Sequence, residues 1–157
     1  MTDKTHVKHR DTARIMLVDE QNRIFLLKTH FDPEVGLPPR WLTPGGGIDS
    51  GESTLHAAVR ELFEETGMRV SPDVLGEPVL VASGRWDWAD GLNYHTYTDT
   101  IYELKVQNFQ ADTSGFTQDE LRDILEYRWW TVEEILESNE PLAPHELRSW
   151  LRNKFYA

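Results

Sequence analysis

Cysteine is absent from this chain. That excludes disulfides, thiolate zinc sites and cysteine nucleophiles, and it is the usage expected of a cytoplasmic protein. Long apolar runs are absent too. None approaches the ~18 residues that a membrane-spanning helix needs. The opening stretch, MTDKTHVKHRDT, is polar and has no apolar segment of the kind a signal peptide carries, which again points to the cytoplasm. Positive charge is scarce: 16 Lys and Arg stand against 27 Asp and Glu, a formal net charge of −11. Non-specific nucleic-acid binders are basic, so this balance argues against one. An anionic ligand would have to meet local cations, either bound metal or a few placed Arg and Lys side chains. The six histidines show no metal-ligand spacing. Linkers, repeats and low-complexity tracts are missing as well, so residues 1–157 are expected to form one domain with its own core.

What the chain does have is a dense run of acid between glycines, GGIDSGESTLHAAVRELFEETGM at residues 46–68. On a helical wheel of about 100° per residue, Glu61, Glu64 and Glu65 share an arc of about 100°. Leu55, Ala58, Val59, Leu62 and Thr66 fall together on another wall of the same wheel. The spacing predicts an amphipathic helix with one apolar face and one acidic face. Ser50 or Ser53 suits its N-cap, and Gly67 suits the position just past its end. Like charges three and four residues apart repel and destabilise a bare helix. A divalent cation reverses that sign, and hard cations such as Mg²⁺ prefer oxygen ligands and often share them with phosphates. The competing reading is a solvated acidic face, which is what most charge runs are.

The rest of the chain reads as strands interrupted by helices. Residues 12–18 (TARIMLV) and 23–28 (RIFLLK) flank a polar turn and suggest a hairpin. Residues 29–40, rich in Pro and Gly, read as loop, and 41–43 as a short strand. Residues 79–85 and 94–106 read as strands around a turn holding Asp90-Gly91, and 127–130 as a last strand. Thr131 and Glu134 form a capping box opening a second helix, and residues 144–155 form a third. Trp129 and Trp130 are expected to split, one into the core and one outward. This order implies a mixed sheet packed between helices, an α/β class.

The acidic stretch fits the pattern G-x5-E-x7-R-E-U-x-E-E-x-G-U, with U a bulky apolar residue: Gly46, Glu52, Arg60, Glu61, Leu62, Glu64, Glu65, Gly67, Met68. Seven fixed identities make a chance match rarer than roughly one in 10⁸ at a given position. The stretch resembles the Nudix box and departs from it nowhere. The flanking WLTPGGG and the strand ending in Trp129–Trp130 extend the resemblance more loosely over most of the chain. The resemblance implies an α/β/α sandwich with a mixed β-sheet between helices (the Nudix fold). It also implies a MutT-like pyrophosphohydrolase of phosphorus-containing anhydrides that holds Mg²⁺ or Mn²⁺ and lets water cleave the diphosphate bridge of a nucleoside diphosphate linked to another group. Divalent cations suit that chemistry because they neutralise phosphoryl charge and lower the pKa of water.

By position in the box, Glu61, Glu64 and Glu65 are the implied metal ligands, with the Gly46 carbonyl completing the shell. Arg60 and Glu52 are expected to pair and to orient those ligands, with substrate contact the alternative for Arg60. Family members take the general base from the box or from a later loop. Glu64 is therefore ligand or base, and Glu120, Glu126 and, less so, Asp119 are the distal candidates. Each distal residue is also readable as plain surface. Arg85, Trp86 and Trp88 are candidate substrate contacts, since aromatic side chains stack on bases. Core or dimer packing is the competing role of the two tryptophans.

Substrate signatures are missing. There is no proline about fifteen residues past the box, no tyrosine at the dinucleoside-polyphosphate offset and no SQPWPFPxS array. The expected ligand is a small nucleoside diphosphate derivative, with a nucleoside triphosphate as one form. ADP-ribose or another nucleotide sugar is the alternative, and a non-catalytic nucleotide-binding Nudix domain is a further one. Isopentenyl diphosphate isomerases share the fold but use a cysteine, which this chain lacks. Homodimers are common in the family, so a dimer is one expectation.

Overall fold

The computed structural model describes residues 3–30, 33–111, 114, 116–118, 120 and 124–156; Asp119 lies outside them. Among these residues one mixed sheet organises the chain. Its strands are β1 (Thr5–Val18), β2 (Arg23–Thr29), β3 (Arg40–Leu42), β4 (Gly45–Gly47), β5 (Leu80–Asp87), β6 (Asn93–Lys105) and β7 (Ile124–Thr131). The main path runs β3-β2-β1-β6-β5, with β4 paired to β1 and β7 to β2. β1 and β6 are parallel, while β2 and β4 meet β1 antiparallel. The sheet is accompanied by the helices α1 (Thr54–Thr66), α2 (Val132–Glu137) and α3 (Leu147–Tyr156).

Alternation along the central strands explains the layers. Side chains on successive strand residues point to opposite faces. Met16, Val18, Ile24 and Leu26 pack with Ile135, Leu147 and Leu151 of α2 and α3. Ala13, Ile15, Leu17, Phe25 and Leu27 pack with Ala57, Ala58 and Leu62 of α1 on the other side. With both faces covered, β1 and β2 read as continuous apolar runs rather than alternating ones. Each fully buried Leu or Ile there contributes about 1.5–3 kcal/mol.

The helices start and stop where their sequences say. Ser53 caps α1, its hydroxyl accepting from the His56 N–H at 3.1 Å, so Ser53 rather than Ser50 fills that role. Gly67 ends the helix with φ 80°, a left-handed conformation that favours glycine, and its N–H donates to the Phe63 carbonyl at 2.9 Å. Thr131 and Glu134 exchange reciprocal bonds at 2.9 and 3.0 Å at the start of α2.

Several boundaries differ from expectation. β1 begins at Thr5 instead of residue 12, because the polar stretch before Thr12 finds backbone partners on β6. Gly45–Gly47, beyond the short strand expected at 41–43, is a strand of its own held by Thr12, Ala13 and Arg14. β5 extends through Trp86 and Asp87 into the expected turn, and α3 starts at Leu147. Trp129 does not point to solvent. Trp130 enters the α2–α3 core, and Trp129 packs against the α1-side core on the opposite face, donating to the Phe109 carbonyl at 3.0 Å. A sheet covered on both sides has no outward face at that point.

Candidate active site

Pairing of β4 with β1 lays the glycine strand beside the acidic face of α1. Gly45 donates its N–H to Glu65 Oε1 at 2.7 Å. Gly46 lies against the Glu61 carboxylate so closely that an added Cβ would sit 2.5 Å from Oε1. Only glycine admits that approach. The acidic face is therefore not solvated: Glu61 is 8% exposed and Glu65 3%. Both line a cavity of about 370 Å³ together with Gly46, Arg60, Glu64 and Glu120.

Arg60 organises the acids. Its Nε and Nη2 donate to both oxygens of Glu52 at 2.8 and 2.9 Å, a bidentate pair. Its Nη1 reaches Glu61 at 3.0 Å and Glu64 at 3.3 Å, and Nη2 also donates to the Gly47 carbonyl at 3.1 Å. One guanidinium thus ties the loop before α1, the glycine strand and two box carboxylates together. The Arg60 hydrogen bond, with a further bond from the Asp49 N–H, holds the Glu52 carboxyl down at about 2.

The other carboxyls shift the opposite way. Burial pushes Glu61 up to about 7; Arg60 opposes this, and repulsion from Glu64 and Glu120 adds to it. Burial, with repulsion from Glu61 and Glu120, raises Glu65 well above its ordinary value. Glu120 is raised by burial as well. Its backbone N–H and carboxylate exchange bonds with Thr117 at 3.1 and 2.9 Å, which fixes it in the cavity wall.

Glu61, Glu64 and Glu120 each offer one oxygen within 4.8 Å of the other two. Converging and mutually repelling, with Glu61 buried and Glu64 and Glu120 half-buried, these oxygens fit a hard divalent cation, which prefers all-oxygen ligands and relieves both the repulsion and the desolvation. Glu65 reaches the same cavity but gives one oxygen to Gly45.

The remaining candidates are placed less centrally. Glu126 is exposed on β7 opposite Lys28 and does not line the cavity. Arg85 and Trp86 lie on β5 and Trp88 just past its end, all outside the lining. Arg85 is bound to Asp87 and sits over the Tyr94 ring. The Trp86 ring meets His145 at 3.9 Å and the Arg40 guanidinium at 4.1 Å, and Trp88 donates from Nε1 to His95 at 2.9 Å. Both tryptophan rings are thus engaged within the chain.

Arg10, Arg14 and Thr117 line the cavity, and no motif marks them. Arg14 carries one signal in hindsight: an arginine inside the apolar run TARIMLV, at a position alternating with core residues. It is buried, donating to the Thr43 carbonyl at 2.9 Å and lying 3.9 Å from Asp99.

A cavity that gathers carboxylates beneath a glycine strand, with arginines in its walls, could hold a hard cation against phosphoryl oxygens. Comparison with known proteins gives the family. The chain matches the NUDIX domain over residues 8–153. Over 64 residues it is 42% identical to the RNA pyrophosphohydrolase of Agrobacterium fabrum, a match covering 39% of this chain and 38% of that one. Nudix hydrolase 25 of Arabidopsis thaliana is 26% identical over 141 residues, 82% of this chain and 76% of its own length. The MutT NUDIX hydrolase of Burkholderia pseudomallei superposes with a TM-score of 0.66 at 22% identity, covering 92% of this chain and 96% of that one, a likeness of fold. The chain belongs to the Nudix family of hydrolases. No helix among the described residues is long and apolar enough to cross a membrane.

Proposed function

We propose that this protein hydrolyses the diphosphate linkage of a nucleoside diphosphate joined to another group, with nucleoside triphosphates the first substrates to try and Mg²⁺, or else Mn²⁺, as its cation. The observation that carries this is the convergence of Glu61, Glu64 and Glu120 in one cavity beside Gly46. A divalent cation there would neutralise phosphoryl charge and activate water. Glu61 and Glu64 are the proposed ligands, with Glu65 and the Gly46 carbonyl beside them. Arg60 holds Glu61 and Glu64 in position, and Glu52 holds Arg60. Glu120 is the proposed general base in preference to Glu126, because it reaches the cavity and Burial keeps its carboxyl raised. A raised carboxyl is the better proton acceptor near neutral pH.

RNA is a weaker candidate. The RNA pyrophosphohydrolases it resembles align over 64 to 76 residues, less than half of this chain, and the net charge of −11 opposes a long polyanion. We place the protein in the cytoplasm, in keeping with its lack of cysteine.

The test is phosphate and pyrophosphate release from a panel of nucleoside triphosphates, dinucleoside polyphosphates and nucleotide sugars, with Mg²⁺ and with EDTA. Turnover that needs the metal is expected on at least one member. Nucleotide binding without metal-dependent turnover on any member would overturn the hydrolase and favour a binding module.

A further inference from the structure

Strand β4 (Gly45–Gly47) brings backbone to the carboxylates: the Gly45 N–H reaches Glu65 Oε1 at 2.7 Å, and Gly46 lies against the Glu61 carboxylate. Three glycines bring no side chain to anchor such a strand, and glycine loses more conformational freedom on ordering than any other residue. The anchors therefore come from outside. The ladder with Thr12, Ala13 and Arg14 holds the strand along its length. Bonds from the Ile15 N–H to the Pro44 carbonyl at 2.9 Å and from the Ile48 N–H to the Asp11 carbonyl at 3.1 Å hold its flanks. Side chains add to these: Arg60 donates to the Gly47 carbonyl at 3.1 Å, and Arg14 donates from Nη1 to the Thr43 carbonyl at 2.9 Å.

Gly45 makes room for Arg14. A Cβ added there would sit 2.4 Å from Arg14 Cγ, so the stem of the arginine passes where a larger residue would block it. Asp99 of β6 balances the charge: its Oδ1 lies 3.9 Å from Arg14 Nε and accepts from the Thr12 hydroxyl at 2.5 Å. Both residues are buried, Arg14 3% exposed and Asp99 6%. Stability alone does not explain this pair. Desolvation offsets most of the attraction of a buried ion pair, and apolar residues of similar volume often do as well or better. An apolar side chain at position 14 would continue the core run of Ala13, Ile15 and Met16, but it would offer the Thr43 carbonyl no donor.

We propose that Arg14 is a positioning residue for the cation site. It fixes the glycine strand from the Thr43 end, as Arg60 does from the Gly47 end, so that Gly45 bonds Glu65 and Gly46 meets Glu61 where the cation is held. Asp99 orients Arg14 for that task. This rests on the reading of the carboxylates as a cation site, and it gives Arg14 no contact with substrate.

The test follows Mg²⁺ affinity by calorimetric titration, melting temperature, and amide hydrogen exchange at Gly45–Gly47, all on the full chain. Arg14→Met leaves Asp99 buried without its cation and is expected to lower the melting temperature. Arg14→Met combined with Asp99→Asn removes both charges and should melt near the wild type. In both variants Mg²⁺ should bind about 10–100-fold more weakly, the size seen when groups that orient metal ligands are disturbed. The Gly45–Gly47 amides should exchange about tenfold faster, as expected for one lost hydrogen bond. An arginine that served stability alone would regain Mg²⁺ affinity together with the melting temperature in the double variant, and that result would overturn the proposal. Weakened Mg²⁺ binding with wild-type exchange in β4 would overturn it too. Arg14→Lys keeps a charge beside Asp99 and a donor for Thr43, so its Mg²⁺ affinity should lie between those of the wild type and Arg14→Met. A lysine variant no better than methionine would also overturn the assignment. The two readings can fail separately. A wild type that binds Mg²⁺ with help from Arg14 but hydrolyses no nucleotide removes the hydrolase and keeps the assignment. A metal-dependent hydrolase whose Mg²⁺ affinity ignores Arg14 removes the assignment and keeps the hydrolase.

Discussion

The carboxylate cavity and the aromatic stretch of β5 both gather functional-looking side chains, and they satisfy them in opposite ways. At Trp86 and Trp88 the partners come from the chain: His145 and Arg40 on one ring, His95 on the other. In the cavity one guanidinium, that of Arg60, is shared among Glu52, Glu61 and Glu64, and Glu61 and Glu65 stay buried with raised pKa values. A buried carboxylate short of positive charge is unstable on its own terms. Such a cluster suits a cation, whereas a satisfied aromatic cluster suits packing. The difference teaches that an unmet physical requirement is a better guide to chemistry than the type of residue present.

The strongest way to break the comparison is to remove the acid while keeping the shape. Glu64→Gln and Glu65→Gln are each expected to lower kcat by about 10²–10⁴ with far-UV circular dichroism unchanged. Glu120→Gln should fall in the same range, and Glu126→Gln should stay near wild type. Retained phosphate release in the first two would sink the metal-site reading, and a larger loss at Glu126 than at Glu120 would reverse the choice of base.

A milder break acts on the backbone. In Gly46→Ala the new Cβ would meet Glu61 Oε1 at 2.5 Å, so the carboxylate must move. A loss of about 10–100-fold in Mg²⁺ affinity is expected, the size seen when groups that orient metal ligands are disturbed. Unchanged metal titration would show that Glu61 has room to adjust.

On β5 the expected effect is on stability. Trp86→Ala should lower it by about 1–3 kcal/mol, because partly buried aromatic area is lost. KM for nucleotides should change less than about threefold. Denaturant unfolding beside steady-state kinetics checks both, and a large KM change with unchanged stability would restore a base-stacking role.

Legibility in the sequence follows the same division. The box was readable because α1, its caps and its glycines are local: Arg60, Glu61 and Gly67 follow from spacing, and only the choice of Ser53 over Ser50 as the cap needed the structure. The layers were readable from apolar runs in β1 and β2. Glu120 was one of several distal acids: the local Thr117–Glu120 pair, a T-x-x-E capping pattern, distinguishes it from Glu126 on β7, but that pattern does not say which acid reaches the cavity. Arg10 was not readable at all. Its place depends on the pairing of residues 5–12 with β6 across some ninety positions, and polar residues with mixed charge carry no clear strand period. The glycine strand β4 was hidden for a related reason: glycine has low strand propensity, and only the β1 edge makes it a strand.

The finest test uses pH on the metal-free protein. Glu61 has its folded pKa raised to about 7 from an ordinary 4.5, chiefly by burial, and Glu65 is raised in the same direction. Between those two pH values the folded state holds more protons than the unfolded one, so stability must fall as pH rises. Glu52 runs the other way: depressed to about 2, it stabilises the fold throughout this window and stops doing so only as pH falls through its folded value. In EDTA the melting temperature should therefore decline from pH 5 to pH 8, and the decline should be shallower in Glu61→Gln. Mg²⁺ should raise the melting temperature more at pH 8 than at pH 5, because the cation binds the ionised carboxylates and stabilises the folded state in proportion to its occupancy. Wild type and Glu61→Gln giving parallel profiles, with and without Mg²⁺, would mean that Glu61 neither sets this pH dependence nor holds the cation.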